Sequence, residues 1–248
     1  MRTFLVTALT ALALLVATPA SAITYGQPTG PDLYTNVGAL VGTFPSGTYP
    51  YCSGVLISPT VFLTAAHCDI GTESVCVTFD HEYTSRSKLY CGEFIAHPEY
   101  SWSQSNPNDV AVVVFSKPIR GIQPAQIAEE GLLDALNASG ELNQSTAFTS
   151  VGYGGQEPGH ANQITYLDVR EYAVGYFNAL GPGFLRVSQN PQTGSGGTCY
   201  GDSGGPVFLG DTNIVVAVVT TGDAVCRSTN VDQRIDIASV QAFLAQYV

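Results

Sequence analysis

The chain has 248 residues, of which 12% are charged and 45% are hydrophobic, and its formal net charge is -11. A disordered chain combines low hydrophobicity with high charge, so the composition excludes that class. Nine basic residues against 20 acidic ones also leave no basic face for binding nucleic acid. The length suits one large β-type domain or two small ones, with room for a hydrophobic core.

The first 22 residues have the pattern of a secretory signal peptide. Arg2 supplies the positive start, and the stretch from Phe4 to Ala17 is apolar apart from threonines. Ala20-Ser21-Ala22 provides the small side chains that a signal peptidase requires. The apolar run is shorter than the roughly 20 residues of a membrane-spanning helix. We therefore predict a secreted, extracellular protein with no membrane segment after cleavage.

Short apolar runs rich in Val, Phe and Thr alternate with clusters of Gly, Pro, Ser and Asn along the rest of the chain. Several short strands with this spacing indicate an all-β sandwich or barrel. The predicted strands are Val37–Gly42, Gly54–Ile57, Val61–Thr64, Val75–Phe79, Val110–Phe115, Phe148–Val151, Pro206–Leu209 and Val215–Val219.

Two segments are predicted as helices. Ile127–Leu136 is a short candidate near the middle of the chain. Ile237–Tyr247 is the stronger one, because its apolar side chains, Phe243 among them, fall on one face. Asp236 precedes this second segment and is expected to cap its N-terminus.

All six cysteines follow the predicted cleavage site, and an even number in an exported chain predicts three disulfides. Six cysteines allow 15 pairings, and their spacing does not choose between these. A zinc site is the rival interpretation. The sequence has no C-x-x-C pair, and the adjacent His67 and Cys68 are poorly spaced to bind one metal. No metal and no organic cofactor is therefore expected.

Three short segments carry residues suited to nucleophilic catalysis. In Leu63–Cys68 (LTAAHC) a histidine follows a predicted strand, and in Asn108–Phe115 (NDVAVVVF) an aspartate opens a strand that is apolar on both faces. In Gly201–Pro206 (GDSGGP) a serine lies in a glycine-rich turn that other groups can approach closely. Each segment alone has an ordinary structural interpretation. Together they supply a base, a buried carboxylate that orients it and a nucleophile.

The order of these residues separates two classes of hydrolase. Gly201–Gly205 also matches G-x-S-x-G, the nucleophile turn of α/β-hydrolases, in which the histidine follows the serine. The histidines here are at positions 67, 81, 97 and 160, so none follows Ser203. The order His67, Asp109, Ser203 is instead that of chymotrypsin-like proteases.

The sequence resembles the secreted serine endopeptidases of the chymotrypsin/trypsin family. LTAAHC, NDVAVVVF and TCYGDSGGPVF match the three signature blocks of that family. Ala96–Tyr100 (AHPEY) and Ser150–Gly154 (SVGYG) match two further blocks. The likeness therefore runs from about residue 23 to the end of the chain.

The resemblance implies an all-β fold of two packed six-stranded antiparallel barrels with a C-terminal helix. After the signal peptide, residues 1–22, the peptidase domain would cover residues 23–248. The first barrel would span about 23–120, a linker about 121–135, the second barrel about 136–235 and the helix 237–247.

The resemblance also implies a catalytic role for each signature residue. Ser203 would attack the peptide carbonyl and form an acyl-enzyme, His67 would act as the base, and Asp109 would orient the imidazole. The backbone N–H groups of Gly201 and Ser203 would form the oxyanion hole. Asp202 would pair with the α-ammonium group of Ile23 once the signal peptide has been cleaved, so that signal peptidase itself activates the enzyme.

Four residues are expected to bind substrate by resemblance: Gly197, Tyr200, Thr220 and Gly222. Thr220 would also donate a hydrogen bond to Asp109.

The residue six positions before the nucleophile decides the expected specificity. Trypsin-like members carry an aspartate there, at the floor of the pocket, whereas this chain has Gly197. We therefore expect a neutral, open, chymotrypsin-like pocket rather than cleavage after Lys or Arg. Asp223 or Asp232 would have to lie close to the pocket to reverse this expectation.

The resemblance selects two disulfides, Cys52–Cys68 beside the catalytic histidine and Cys199–Cys226 beside the specificity pocket, and leaves Cys76–Cys91 as the third. The expected partners are protein or peptide substrates and protein inhibitors, and the protein is expected to be a monomer. The alternative is a catalytically silent protease homologue that acts as a binding or adhesion protein. Such homologues lose a triad residue, and all three are present here.

Overall fold

The computed structural model describes residues 23–72, 74–103, 105–155 and 164–248. The predicted signal peptide, residues 1–22, and His160 lie outside the described residues. None of the described helices is long and apolar enough to cross a membrane. The strands are β1 (Gln27–Pro28), β2 (Val37–Phe44), β3 (Gly47–Ser58), β4 (Val61–Thr64), β5 (Ser74–Thr78), β6 (Tyr90–Ala96), β7 (Ala111–Val114), β8 (Gln126–Ile127), β9 (Ala147–Gly152), β10 (Glu171–Leu180), β11 (Phe184–Ser188), β12 (Pro206–Leu209), β13 (Ile214–Gly222) and β14 (Thr229–Arg234), and the α-helices are α1 (Leu132–Ser139) and α2 (Ala238–Leu244).

Strands β2 to β7 close into the first barrel in the order β2-β3-β4-β7-β6-β5, with every pair antiparallel. All four residues of β4 are buried. Phe62 packs into the interior of this barrel, and its neighbour Leu63 packs into a core shared with the second barrel. Because successive side chains of a strand point to opposite faces, an apolar strand can serve both cores.

Strands β9 to β14 form the second barrel in the order β10-β11-β14-β13-β12-β9, closed by antiparallel pairing of β9 with β10. The interior contains Phe148, Leu185, Val207 and Val216. β1 adds to the free side of β10, and β8 runs parallel to β13. The expected all-β fold of two antiparallel barrels with a C-terminal helix is confirmed.

A continuous hydrophobic core joins the two barrels and the C-terminal helix. It contains Leu63 and Val112 of the first barrel, Phe208 and Val218 of the second, and Phe243 of α2. Full burial of one such side chain stabilises a protein by about 1.5–3 kcal/mol. The barrels are therefore held by the same force that holds each barrel together, and the cleft between them has rigid walls.

A buried arginine links the barrels through hydrogen bonds. Arg170 immediately precedes β10 and is 1% exposed. Its Nη1 donates to the carbonyl oxygens of Val37, at 3.1 Å, and Phe79, at 3.0 Å, and its Nε donates to Thr29 Oγ1 at 3.1 Å. A buried charge is tolerated when its donors are satisfied in this way.

The helices differ from the prediction in three respects, the first of which is that α2, Ala238–Leu244, is shorter than the predicted Ile237–Tyr247. The middle helix is α1, Leu132–Ser139, rather than Ile127–Leu136, because Ile127 belongs to β8. Asp236 does not cap α2, whose N-cap residue, Ile237, makes no side-chain capping hydrogen bond. Asp236 Oδ2 instead accepts from the N–H of Leu133, at 2.8 Å, in the first turn of α1. The predicted capping residue therefore serves the other helix.

Four barrel strands were missing from the prediction: β6, β10, β11 and β14. In β14 the buried residues are Asn230, Asp232, Gln233 and Arg234, which are all polar. They are satisfied mainly by specific partners, such as Asp236 for Arg234, so the strand carries no apolar run that a sequence pattern would reveal.

Candidate active site

His67 and Asp109 lie at neighbouring ends of two paired strands of the first barrel. β4 is antiparallel to β7, and Thr64 at the end of β4 lies opposite Ala111 at the start of β7. The chain leaving β4 forms a short 3-10 turn over Ala66–Cys68, while Asp109 lies two residues before β7. The pairing of these strands therefore brings the histidine to the carboxylate.

Two hydrogen bonds fix His67 on the Asp109 carboxylate. The backbone N–H of His67 donates to Oδ1 at 2.9 Å, and the ring Nδ1 lies 2.7 Å from Oδ2. The side chain of Asp109 is 6% exposed, whereas that of His67 is 21% exposed. When Nδ1 donates to a carboxylate, Nε2 of the neutral ring is left as the proton acceptor. His67 can therefore act as a base toward the cleft.

Ser203 lies in a tight turn of the second barrel that depends on two glycines. Gly201 and Gly204 have φ values of 98° and 78°, in the left-handed region that glycine adopts without strain. A Cβ at Gly204 would collide with Thr64 Oγ1 of the first barrel. The turn therefore packs directly against the strand that leads to His67.

The buried carboxylate of Asp202 ties the turn of Ser203 to the backbone of neighbouring segments. Its Oδ1 accepts from the N–H of Gly154 at 2.8 Å, and its Oδ2 accepts from the N–H of Cys199 at 2.9 Å. Complete burial raises the pKa of Asp202 to about 7; the two backbone hydrogen bonds act in the opposite direction, and the nearby Glu171 carboxylate adds to the rise. The ionised form of Asp202 thus needs a positive partner to be fully stable.

Ser53 of β3 holds the same turn from the side of the first barrel. Its N–H donates to the carbonyl of Ser203 at 2.8 Å, and its Oγ donates to the carbonyl of Gly201 at 3.0 Å. Ser53 Oγ also accepts from the N–H of Tyr153 at 3.0 Å. Within the described residues, the N–H groups of Gly201 and Ser203 donate to no backbone carbonyl, so both remain available to a ligand.

Two cavities meet at His67 and Ser203, which line both. One, called here the β13 cavity, has a volume of about 400 Å³, and its wall includes Thr220, Gly222 and the Cys199–Cys226 disulfide. The other, called the tyrosine cavity, has a volume of about 730 Å³; it is lined by Tyr49, Tyr51, Tyr166, Tyr200, Ile70, Asp168 and the Cys52–Cys68 disulfide, among others.

The four residues expected to bind substrate do not all line the β13 cavity. Tyr200, Thr220 and Gly222 line it, whereas Gly197 lies behind its wall. The N–H of Gly197 donates to the carbonyl of Thr24 at 3.0 Å, and a Cβ at Gly197 would collide with the side chain of Gln189. Gln189 therefore occupies the space beside the position at which trypsin-like members carry an aspartate.

Asp223 and Asp232 occupy different environments. Asp223 lines the β13 cavity, but its carboxylate accepts from the N–H groups of Arg227, Ser228 and Thr229 at 2.8–3.0 Å. Partial burial works against ionisation, yet these hydrogen bonds hold the pKa of Asp223 below its usual value.

Asp232 is fully buried and does not line the cavity. Its Oδ1 accepts from Asn230 Nδ2 at 2.6 Å, while burial raises the pKa of Asp232 well above its usual value. Asp232 Oδ2 is buried and has no hydrogen-bond partner among the described residues. Asp223 is engaged and Asp232 does not line the cavity, so neither presents a free, exposed carboxylate to the β13 cavity.

The expected hydrogen bond from Thr220 to Asp109 is wrong. Thr220 Oγ1 is buried and has no hydrogen-bond partner among the described residues. Apart from His67, Asp109 has a further partner at its backbone, where its N–H donates to Gln233 Oε1 at 3.3 Å. The carboxylate of Asp109 is left to His67, whose two hydrogen bonds occupy both of its oxygens.

Disulfides join the three pairs that the resemblance implies: Cys52–Cys68, Cys76–Cys91 and Cys199–Cys226. The first ties β3 to the turn that carries His67, and the second crosses the β5–β6 pair. The sulfur atoms of Cys52 and Cys68 lie close to the His67 ring, but as a disulfide they offer no thiolate to a metal ion.

Ile23 is completely buried, and its backbone nitrogen contacts a different carboxylate from the expected one. The nitrogen donates to Glu171 Oε2 at 3.1 Å rather than to Asp202. The next residue, Thr24, forms an antiparallel bridge with Gly197. The start of the domain is therefore buried against the second barrel, where it contacts Glu171 and the segment of Gly197.

Comparison with known proteins agrees with this geometry. The model of the trypsin family matches residues 34–244, which is most of the chain. The chain belongs to the trypsin family. The sequence resemblance to chymotrypsin/trypsin-type serine proteases is thereby confirmed.

Relatives of this trypsin-family chain include proteins of quite different length. Vitamin K-dependent protein C of Mus musculus is 31% identical over 200 residues, which cover 72% of this chain and 42% of that protein. A trypsin of Phaedon cochleariae is 27% identical, over 73% of this chain and 72% of the trypsin. The chain spans less than half the length of the first curated relatives that it matches.

Similarity to a solved structure supports the fold. The structure described as HL collagenase has a TM-score of 0.68 at 22% identity, with 90% of this chain and 97% of that one covered. At this identity the likeness establishes the double-barrel architecture alone.

Sequence reasoning missed several residues that shape the trypsin-family site: Ser53, Gln189 and Glu171. Each acts through a contact with backbone groups of a distant segment. Such residues belong to no short motif. Only the polarity of Glu171 and Gln189 within otherwise apolar strand regions could have drawn attention to them.

Proposed function

We propose that the chain is a secreted serine endopeptidase that hydrolyses peptide bonds through an acyl-enzyme on Ser203. The observation that carries the proposal is the 2.7 Å contact between His67 Nδ1 and Asp109 Oδ2, beside two cavities that His67 and Ser203 both line. Membership of the trypsin family supports the same activity. A buried carboxylate held on a partly exposed imidazole suits general-base catalysis at a neighbouring hydroxyl.

In the proposed mechanism, Ser203 Oγ forms a bond to the carbonyl carbon of the substrate while His67 Nε2 takes the hydroxyl proton. Asp109 stabilises the imidazolium that results. The carbonyl oxygen becomes negative and accepts hydrogen bonds from the N–H groups of Gly201 and Ser203, which stabilise it. The protonated His67 then gives its proton to the leaving amine as the peptide bond breaks. Water repeats the sequence on the acyl-enzyme and releases the acid.

We propose that the β13 cavity takes the side chain on the acyl side of the scissile bond and prefers aromatic or large apolar residues. Three backbone hydrogen bonds engage the Asp223 carboxylate, and Asp232 is sealed behind the wall. A lysine or arginine side chain would then lose its hydration without gaining an unengaged carboxylate. Gly222 has no side chain to narrow the entrance.

Activation is proposed to follow from cleavage after Ala22. The new α-ammonium group at Ile23 would carry three donors and a positive charge where a single N–H now donates to Glu171. Asp202 is the charge complement proposed for it, since Asp202 is buried and electrostatically coupled to Glu171. N-terminal sequencing of the active secreted form should give Ile-Thr-Tyr-Gly. A start well downstream of Ile23 would contradict signal peptidase as the activator.

The remaining proposals concern organisation and partners. The peptidase domain covers residues 23–248, with the second barrel at about 136–235 after a linker at 121–135. The strands of the first barrel lie within 37–114 rather than about 23–120, because residues 27–28 pair with the second barrel, and the terminal helix is α2, Ala238–Leu244, rather than 237–247. The partners are protein or peptide substrates and protein inhibitors, and the protein acts as a monomer.

Labelling with a serine-directed fluorophosphonate separates the enzyme from a silent homologue. The secreted protein should react at Ser203, and Ser203→Ala should lose both labelling and peptidase activity while keeping its urea unfolding midpoint. Peptidase activity retained by this variant would refute Ser203 as the nucleophile. A peptide-library cleavage profile then tests the β13 cavity, and dominant cleavage after Lys or Arg would refute a neutral pocket.

A further inference from the structure

His67 and Ser203 line both cavities, while the two cavities are bounded by different disulfides, so one bound peptide can enter both. The proposed function assigns the acyl side to the β13 cavity, which is bounded by Thr220, Gly222 and the Cys199–Cys226 disulfide. The tyrosine cavity is bounded by the opposite disulfide, Cys52–Cys68. The tyrosine cavity shares His67 and Ser203 with the β13 cavity, so it can receive the part of an extended peptide that follows the scissile bond.

The walls of the tyrosine cavity present an unusual amount of exposed aromatic surface. Tyr166 is 53% exposed, Tyr200 51% and Tyr49 36%, and Ile70 beside them is 38% exposed. Contiguous exposed apolar surface of this kind marks a binding site more often than it marks plain protein surface. Tyrosine also binds with little loss of conformational freedom, because its side chain has only two rotatable bonds.

A buried hydroxyl in the same cavity has no partner. Tyr51 Oη is buried and makes no hydrogen bond to any described residue. Desolvation works against the ionisation of Tyr51, and the neighbouring Asp69 adds to that effect, so the hydroxyl stays a donor. An unsatisfied buried hydroxyl is costly. It would gain a ligand carbonyl as a partner once the Tyr51 side chain moved toward the cavity that it lines.

The charge in this cavity is negative. Asp168 lines it, and no lysine or arginine is among its described lining residues. Asp168 is also a non-glycine residue with a positive φ, 55°, which costs free energy and is found preferentially at binding and active sites. A cationic group of the ligand placed near Asp168 would be stabilised on a protein whose net charge is -11.

We propose that the tyrosine cavity binds the leaving-group side of the substrate and selects a peptide that combines an aromatic or large apolar residue with a Lys or Arg. The inference rests on the proposed function for its geometry, since Ser203 must react with a peptide that spans both cavities. The selectivity comes from tyrosine faces for the apolar residue and from Asp168 for the cation.

Partitioning of the acyl-enzyme tests this selectivity. An ester substrate that ends at the scissile bond forms the acyl-enzyme, and a dipeptide amide then competes with water for it. We expect Phe-Arg and Arg-Phe amides to give about tenfold more aminolysis, relative to hydrolysis, than Gly-Gln amide, with Phe-Gln and Gly-Arg amides in between. The ratio is measured within one protein sample, so it does not depend on the absolute rate.

Variants distinguish the two parts of the proposal. Tyr166→Ala should reduce the preference for Phe over Gly to about twofold, and Asp168→Asn should reduce only the preference for Arg over Gln. Tyr176→Ala is the matched control, because Tyr176 is as exposed as Tyr49, at 36%, but lines neither cavity. Equal partitioning of all the amides in the natural protein would overturn the proposal.

Binding to Ser203→Ala separates failure of this proposal from failure of the proposed function. If the ester is not hydrolysed, the peptidase proposal fails, but titration of Ser203→Ala with Phe-Arg amide still tests the cavity. Chemical-shift changes at the tyrosine cavity, weakened by Tyr166→Ala and by Asp168→Asn, support it. No saturable binding, or equal binding of Gly-Gln amide, overturns it.

Discussion

The two halves of the candidate site are held in place by different means. His67 and Asp109 lie at the ends of β4 and β7, which pair directly, and the Cys52–Cys68 disulfide anchors the histidine turn. Ser203 lies in a glycine-rich turn whose supports come from elsewhere in the chain. The proposed base therefore depends on strand pairing within one barrel, whereas the proposed nucleophile depends on contacts from both barrels.

This difference indicates which half can be controlled. A strand pair inside a closed barrel cannot shift without breaking its hydrogen-bond ladder. The turn of Ser203 stands on the buried Asp202, which is coupled to Glu171 and hence to the docked Ile23. On the proposed activation, a change at the N-terminus would reach Ser203 through Asp202 while leaving His67 and Asp109 in place. The predictions below test each half in turn.

The largest effect is expected in the base half. Asp109→Asn should lower kcat about 10⁴-fold, as in serine protease triads, because the amide stabilises the wrong tautomer of the histidine. The unfolding midpoint should change little, since β4 and β7 remain paired. Kinetics on an ester substrate and a urea titration check the two parts, and a loss of less than tenfold would remove Asp109 from the mechanism.

In the nucleophile half, Gly201→Ala should lower kcat about 100- to 1,000-fold, the effect of losing one oxyanion donor. The added Cβ would lie 2.9 Å from Gly154 Cα, at a φ of 98°, and would displace the N–H of residue 201. Gly210→Ala is the matched control, because Gly210 also has a positive φ but no atom within 4 Å of the new Cβ. Equal activity losses in both variants would point to general strain instead.

A smaller effect is expected where the two halves meet. Ser53→Ala removes the hydroxyl that bridges Gly201 and Tyr153, so kcat should fall about tenfold, which corresponds to a net hydrogen-bond contribution of about 1–1.5 kcal/mol. Ser145→Ala, on the exposed surface, is the comparison variant. An unchanged kcat in Ser53→Ala would mean that the backbone contacts of Ser53 suffice to hold the turn.

The smallest effect is expected in the pH dependence of the free energy of unfolding of the uncleaved chain, to which Asp202 contributes. Its folded-state pKa of about 7 exceeds the usual value of 3.8, so the folded state binds a proton that the unfolded state has already released. The contribution of Asp202 to the free energy of unfolding should therefore be largest below about pH 4. It should be lost as the pH rises through 7.

This pH dependence can be followed by urea titration of full-length Ser203→Ala that keeps its first 22 residues. Adding Asp202→Asn should flatten the decline. In a sample cleaved after Ala22, the free energy of unfolding should decline less with pH, because the α-ammonium of Ile23 then stabilises the ionised Asp202. If the two samples respond identically to pH, Asp202 is not coupled to the N-terminus.

The sequence predicted the base half well and the nucleophile half incompletely. Both β4 and β12 begin and end as predicted, because short Val- and Phe-rich runs bounded by turn residues give a clear signal. The order of His67, Asp109 and Ser203 also carried enough information to identify the family. Each of these signals, a short strand or a signature block around one of the three residues, can be found in a short stretch of sequence.

What the sequence could not reveal depends on contacts between distant polar residues. Buried β14 contains Asn230, Asp232 and Arg234, so it lacks an apolar run. Glu171 instead of Asp202 contacts the nitrogen of Ile23, and Asp236 caps α1 instead of α2. A polar side chain can satisfy any nearby donor, and which donor lies nearby is decided only by the folded chain.

The contacts of Ser53 have a consequence for motion between the barrels. Ser53 lies on β3 of the first barrel, and it binds the turn of Ser203 through one backbone and one side-chain hydrogen bond. If the interface between the barrels breathes, the turn is tethered to the barrel that carries His67 and Asp109. Small movements between the barrels should therefore change the distance between Ser203 and His67 less than distances across parts of the cleft that have no such tether.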